Sequence, residues 1–237
     1  MSGHNRAEFQ VTIAAPVEAV WRALRDPVEI RRWFGWDYDG IEAEIEQIFV
    51  EEAEAAEEEL TITWSHGDVF TLEPRENQTV VRVSRPAPGE GTWDDIYEGW
   101  IMFVQQLRFA LERHPGEERK VFQLWISRDP ASGLPADALG LGKLGSTAIG
   151  QRYELDSPVG ERMTGVVWYR SPHQIGVSVD GYGDGLIVVA GSDSAPGRGM
   201  AIVTTYGRDD AVFERIRARW TAWWQAAYPH DPDADPR

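Results

Sequence analysis

Apolar and polar side chains alternate over residues 8–13, and the β-branched residues among them predict a first strand. Past Ala15-Pro16 the period changes: Val17, Val20, Trp21 and Leu24 recur at helical spacing behind a proline suited to a first turn. Asp26-Pro27 repeats the device, with Asp26 as N-cap of a second short helix directed towards Trp33. Ile41, Ile45, Ile48 and Phe49 keep helical spacing, which predicts a further helix running out in the acidic stretch 51–59 as a solvated helix end and loop. Alternation returns at 60–64, 69–73 and 79–84, with turn chemistry at His66-Gly67-Asp68 and Arg75-Glu76-Asn77, so these segments form an antiparallel meander. A Pro- and Gly-rich link over 86–91 leads to Thr92 and Asp95, which predict a capping box. Behind it Tyr97, Trp100, Ile101, Val104, Leu107 and Leu111 make the apolar stripe of a long helix ending near His114-Pro115-Gly116.

The second half begins with a strand at 121–126 and crosses a glycine-rich segment at 134–150, expected to be a flexible loop. Strand patterns follow at 151–155, 165–169, 174–179, 186–190 and 201–206. Asp209 then caps a helix with Val212, Ile216, Trp220, Trp223 and Ala227 on one face. The expected class is α+β: a helix-grip antiparallel sheet around a long C-terminal helix, with a second half of similar but degenerate layout lacking a clear pair of short helices. The expected boundaries are 1–117, 118–230 and a disordered Pro- and Asp-rich tail at 231–237.

Composition narrows the partners. A formal charge of −16 repels phosphate backbones and anionic bilayers, so neither nucleic acid nor membrane is an expected partner. The absence of cysteine excludes disulfides, thiolate metal sites and cysteine nucleophiles, and with no apolar N-terminal run it points to the cytoplasm. Eleven Trp, seven Tyr and eight Phe supply wide apolar surfaces that can fill a core or line a cavity.

The order strand, short helix with Ala15-Pro16-Val17-Glu18-Ala19-Val20-Trp21, second short helix to Trp33-Phe34, meander with Gly67-Asp68-Val69-Phe70-Thr71-Leu72-Glu73, and Glu98-Gly99-Trp100 in a long helix resembles the START-like superfamily, also called SRPBCC or Bet v 1-like. Within it the chain is similar to the branch named for the activator of Hsp90 ATPase homologue 1, over residues 6–114. The resemblance implies a curved sheet gripping the helix, with a cavity between them that admits hydrophobic or amphipathic molecules. The helical pattern from Ile41 departs from the two strands that members place there.

In that layout the residues that would line a cavity are Trp33, Phe34, Trp36, Trp64, Phe70, Trp100, Phe103 and Leu107, although aromatic stripes at helical spacing are more often core packing. Trp168, Tyr182, Trp220, Trp223 and Trp224 pose the same question in the second half. Gly140-Leu141-Gly142-Lys143-Leu144-Gly145 matches a bare dinucleotide pattern without a preceding strand or following helix, although its backbone amides suit an anion or the closure of a pocket. Asp37 and Asp39 read as a turn, Ser65-His66-Gly67-Asp68 as a hairpin too tight to converge into a triad, and His173 as exposed. The five His show no metal-ligand spacing, so neither metal nor cofactor is expected. The leading expectation is a binding protein for a small hydrophobic or amphipathic molecule. The alternatives are a chaperone-linked or other protein-interaction module using the acidic surface, and a cyclase- or hydratase-like enzyme, for which no acid and base pair is evident.

Overall fold

In the computed structural model the first strand, β1 (Arg6–Ile13), pairs antiparallel with β5 (Gln78–Pro86), in register from Arg6 opposite Pro86 to Ile13 opposite Thr79. The elements between them are α1 (Val17–Arg25), α2 (Pro27–Arg31), α3 (Ile41–Ile45), β2 (Ala53–Ala56), β3 (Thr61–Trp64) and β4 (Val69–Arg75), and the long helix α4 (Asp95–Arg113) follows β5. The structure describes residues 6–87, 94–126, 133–192 and 198–229, and the chain divides into two compact units, Met1–Glu117 and Glu118–Arg237. Among the described residues, unit 1 forms a sheet in the order β1-β5-β4-β3-β2. Val11, Ile13, Ile62, Phe70, Leu72, Val81 and Val83 pack from it against Trp100, Val104, Leu107 and Ala110 of α4.

Two expectations for this unit change. The helix from Ile41 does not run into a loop: it ends in a π-helical turn, Glu46–Glu51, and the acidic stretch then forms β2, with Ala53 opposite Trp64 and Ala56 opposite Thr61. A π turn holds one residue more than an α turn and leaves carbonyls without their usual partner. Trp64 Nε1 donates to Ile48 O at 2.7 Å and Arg25 Nη1 to Phe49 O at 2.5 Å, so side chains satisfy them. Glu54 of β2 lies on a sheet edge, where charge stays wet and discourages further pairing. The cap of α4 is Asp94, whose Oδ1 accepts from Ile96 N and Tyr97 N at 3.1 Å each; Thr92 lies outside the described residues. Asp94 wins because Arg85 Nη1, 2.8 Å away, holds its carboxylate in place.

Unit 2 winds the same way. Its elements are β6 (Arg119–Trp125), α5 (Pro135–Ala138), a 3-10 turn (Leu141–Ser146), β7 (Arg152–Ser157), β8 (Glu161–Arg170), β9 (Gln174–Val179), a second 3-10 turn (Asp180–Tyr182), β10 (Gly185–Gly191), β11 (Gly199–Tyr206) and α6 (Asp210–Ala227). The sheet order is β6-β11-β10-β9-β8-β7, again first strand beside last. The glycine-rich segment is not a flexible loop: α5 and the first 3-10 turn are the pair of short helical elements expected to be missing. Gly140, at φ +77°, turns the chain between them so that Leu139, Leu141 and Leu144 all reach the core. Asp209 caps α6 through Val212 N at 2.7 Å. The buried face of α6 is Phe213, Ile216, Trp220 and Trp224, with Val212, Trp223 and Ala227 half-buried beside it. The two units are α+β, each with a long helix held against an antiparallel sheet. The tail at 231–237 lies outside the described residues.

Tyr153, Tyr182 and Tyr228 of unit 2 are buried, and burial is the main reason that all three phenols are raised above their usual value. Glu161 adds to the effect at Tyr182, and Asp137 at Tyr228, which is pushed up to about 12. In the unfolded chain these groups ionise near pH ~10, so above that pH the folded state binds more protons than the unfolded one. Their contribution is therefore complete below pH ~10 and is lost as pH rises through the folded values. Urea unfolding is expected to show stability falling from about pH 10 towards about pH 12, with a smaller fall in Tyr182→Phe. A slope unchanged by that substitution would assign the loss to other groups.

Candidate functional site

The aromatic set of unit 1 comes together around a residue outside it. Phe49, fully buried at the π turn, has ring centroids of Trp33, Phe34, Trp64 and Trp100 within 6.2 Å, in edge-on geometry. Phe70 lies 5.0 Å from Trp64 and 4.8 Å from Trp100, and Phe34 lies 4.6 Å from Phe103. Trp33 Nε1 donates to Ala23 O at 2.8 Å, which fixes its indole under α1. Leu107 is buried one helical turn beyond Phe103, whereas Trp36 and Phe103 are only half-buried. These rings pack on one another between sheet and helix. The helical spacing of Phe49 with Ile41 and Ile45 marked it as apolar, but its central place depends on the π turn.

Ser65-His66-Gly67-Asp68 is a hairpin turn, as expected, and within it His66 and Asp68 meet. A hairpin tight enough to keep a triad apart still lets residues two apart share one face of a strand end, and Gly67 at φ +97° makes the bend. Asp68 is fully buried; its Oδ2 accepts from Trp100 Nε1 at 2.8 Å and lies 2.9 Å from His66 Nε2. Its Oδ1 lies 3.4 Å from Arg85 Nε, near enough for an ion pair but without hydrogen-bond geometry. Ser65 is exposed, and the carboxylate acts as a clamp joining the β3–β4 hairpin, β5 and α4. Asp37 takes an ion pair from Arg31 within its turn.

Unit 2 carries an open cleft of about 180 Å³. Its walls are α5 and the first 3-10 turn on one side and the β8–β9 turn with the end of β10 on the other. Leu134, Pro135, Leu141, Ile175 and Val189 give apolar surface; Asp137, Arg170, Ser171, His173 and Gln174 give polar groups. Arg170 Nη2 donates to Leu144 O and Thr147 O at 2.8 Å each, tying the end of β8 to the 3-10 turn. Ser171 N to Gln174 O, 3.0 Å, closes the β8–β9 turn, and Gly191 N to His173 O, 3.0 Å, holds that turn to β10. Gln174 is buried with its Oε1 accepting from Tyr169 Oη at 2.6 Å. His173 is half-buried in this wall, not exposed as its turn sequence suggests. The sequence offered one sign of the cleft: a glycine-rich segment able to close a pocket.

Trp220 Nε1 donates to Tyr182 Oη at 2.7 Å, Tyr182 Oη donates to Glu161, and Arg219 pairs with the same carboxylate at 2.5 Å, so this network seats α6 on its sheet. Trp224 Nε1 donates to Trp125 O at 2.8 Å, and Trp168 is buried in β8. Among the described residues no group of three or more His, Asp or Glu is arranged to hold a metal, and no helix is long and apolar enough to cross a membrane.

No family model and no curated protein matches the chain. Among solved structures it is similar to DynU16, from the dynemicin biosynthetic locus, at 18% identity over 95% of this chain and 97% of that one, with a TM-score of 0.33. It is also similar to BexL, the di-domain ARO/CYC from the BE-7585A biosynthetic pathway, at 12% identity over 96% and 100%, TM-score 0.36. The Aha1 dimer from Colwellia psychrerythraea covers 47% of this chain with 99% of its own, at 19% identity and TM-score 0.37. At such identities and scores neither fold nor function is carried over. The fold rests on the strand order and helix packing of the chain itself.

Two substitutions check the packing of unit 1. Phe49→Ala is expected to cost about 3–5 kcal/mol in urea unfolding, because the rings around it relax only in part. Asp68→Ala is expected to cost about 1–3 kcal/mol, since it leaves the buried Trp100 indole N–H without its acceptor while Arg85 keeps Asp94; a cost near zero would show that the clamp is solvated.

Proposed function

We propose that the chain is a START-like binding protein for a small, largely apolar molecule, and that the open site is the cleft of unit 2. The observation that carries this is the contrast between the units: the aromatic rings of unit 1 touch one another, whereas unit 2 keeps about 180 Å³ open between apolar walls with polar groups at its margin. Such a shape is the usual form of a small-molecule site. A dry apolar cavity of about 150 Å³ holds one benzene ring, so the cleft suits a molecule of about one ring. The placement in the branch of the activator of Hsp90 ATPase homologue 1 belongs to this proposal, supported by the motif order of unit 1.

A second reading keeps the ligand in unit 1, lined by Trp33, Phe34, Trp36, Trp64, Phe70, Trp100, Phe103 and Leu107. It is favoured by Trp36 and Phe103, whose half-buried rings mark where the aromatic cluster meets its margin. Amide NMR titration with toluene or indole separates the two. Shifts at 134–137 and 170–175, lost in Ala136→Trp, are expected. Shifts confined to 33–36 and 100–107 would move the site to unit 1, and no saturable shift anywhere would end the binding reading.

A further inference from the structure

We infer that the cleft of unit 2 selects a monocarboxylate with a body of about one ring, held by Arg170 and Ser171. This rests on the reading of the cleft as a ligand site and adds the chemistry of what it takes. Arg170 lines the cleft, and among the described residues it makes no ion pair. Both of its hydrogen bonds to Leu144 O and Thr147 O leave from Nη2. A guanidinium has five N–H donors in a fixed fork, so Nε and Nη1 keep theirs for a planar acceptor. The two carbonyl bonds also hold the side chain still, so little freedom is lost when a ligand arrives.

Ser171, the next residue, lines the same cleft, and its Oγ is buried without a hydrogen-bond partner. An unsatisfied buried hydroxyl is uncommon, because the group gives up its water for nothing in return. A carboxylate lying against the β8–β9 turn meets both needs: one oxygen takes the guanidinium, and the other accepts from Ser171 once rotation about its χ1 turns the buried Oγ towards the cleft. The ring then lies against Leu134, Pro135, Ile175 and Val189, where burial of apolar surface adds to affinity.

Asp137 sets the limit on charge. It stands on the opposite wall, across Gly142, where a Cβ would come within 2.2 Å of its Oδ1, and its side chain is exposed to water. With a net charge of −16 on the chain, a second negative charge on the ligand would be repelled. A cation would choose Asp137 instead, and that is the competing outcome.

Calorimetric titration of the full chain with benzoate, toluene and benzylamine decides between them. Benzoate is expected to bind about tenfold or more tightly than either of the others, the usual worth of charge-assisted hydrogen bonds. Arg170→Gln is expected to remove most of that advantage and Ser171→Ala a smaller part, with toluene still bound by Ser171→Ala. Arg170 also anchors the 3-10 turn, so loss of toluene binding in Arg170→Gln would mark a collapsed wall; Ser171→Ala, which touches neither carbonyl, then decides. Equal binding of benzoate and toluene overturns the inference and leaves the cleft a binding site that reads bulk alone. Preference for benzylamine overturns it in favour of Asp137. If none of the three binds, the functional reading fails with it.

Discussion

The pairing of first strand with last is the constraint on which each unit depends. Once β1 lies against β5, or β6 against β11, everything between must leave one sheet edge, cross to the other and return strand by strand. Short helices make the crossing and an antiparallel meander makes the return. The helix after the last strand has one apolar surface left to cover, and its own stripe fits that surface. The hydrophobic term, proportional to area, is largest there, which is why Trp100, Val104 and Leu107 in one unit and Ile216, Trp220 and Trp224 in the other are buried in the cores of their units.

Much of this was legible along the chain because periods of two and of 3.6 residues separate cleanly where one face is buried. β1, the meander, α4, α6 and the Asp26 and Asp209 caps are where the pattern puts them. What escaped was of two kinds. The segment from Ile41 to Ala56 changes its hydrogen bonding twice, and no periodicity marks an extra residue in a π turn or an edge strand of alanine and glutamate. The pair of short elements at 135–146 is too brief for a stripe, and its glycines mimic a loop although Gly140 is there to bend one element into the next.

The candidate sites divide along the same line. The aromatic set of unit 1 could be read because large apolar residues at known spacings converge in any helix-on-sheet packing. Whether they surround a space or close it depends on Phe49, whose direction is set by the π turn. The cleft of unit 2 is built from a turn and two short helical elements joined by backbone carbonyls: Leu144 and Thr147 to Arg170, His173 to Gly191. Residue types say little about such bonds, so Arg170 and Ser171 had no signature, and Asp68 with His66 looked like hairpin punctuation.

The π turn at Glu46–Glu51 bears on how such a fold changes over generations. Successive α-helical residues differ in direction by about 100°, and one residue removed from this turn would swing Val50, 40% exposed here, into the slot that Phe49 now fills. A valine there replaces a phenyl ring at the meeting point of four aromatic neighbours. A deletion of three nucleotides would thus put a smaller side chain at the centre of the aromatic cluster, and the reverse insertion would restore the ring, without a change to any other side chain.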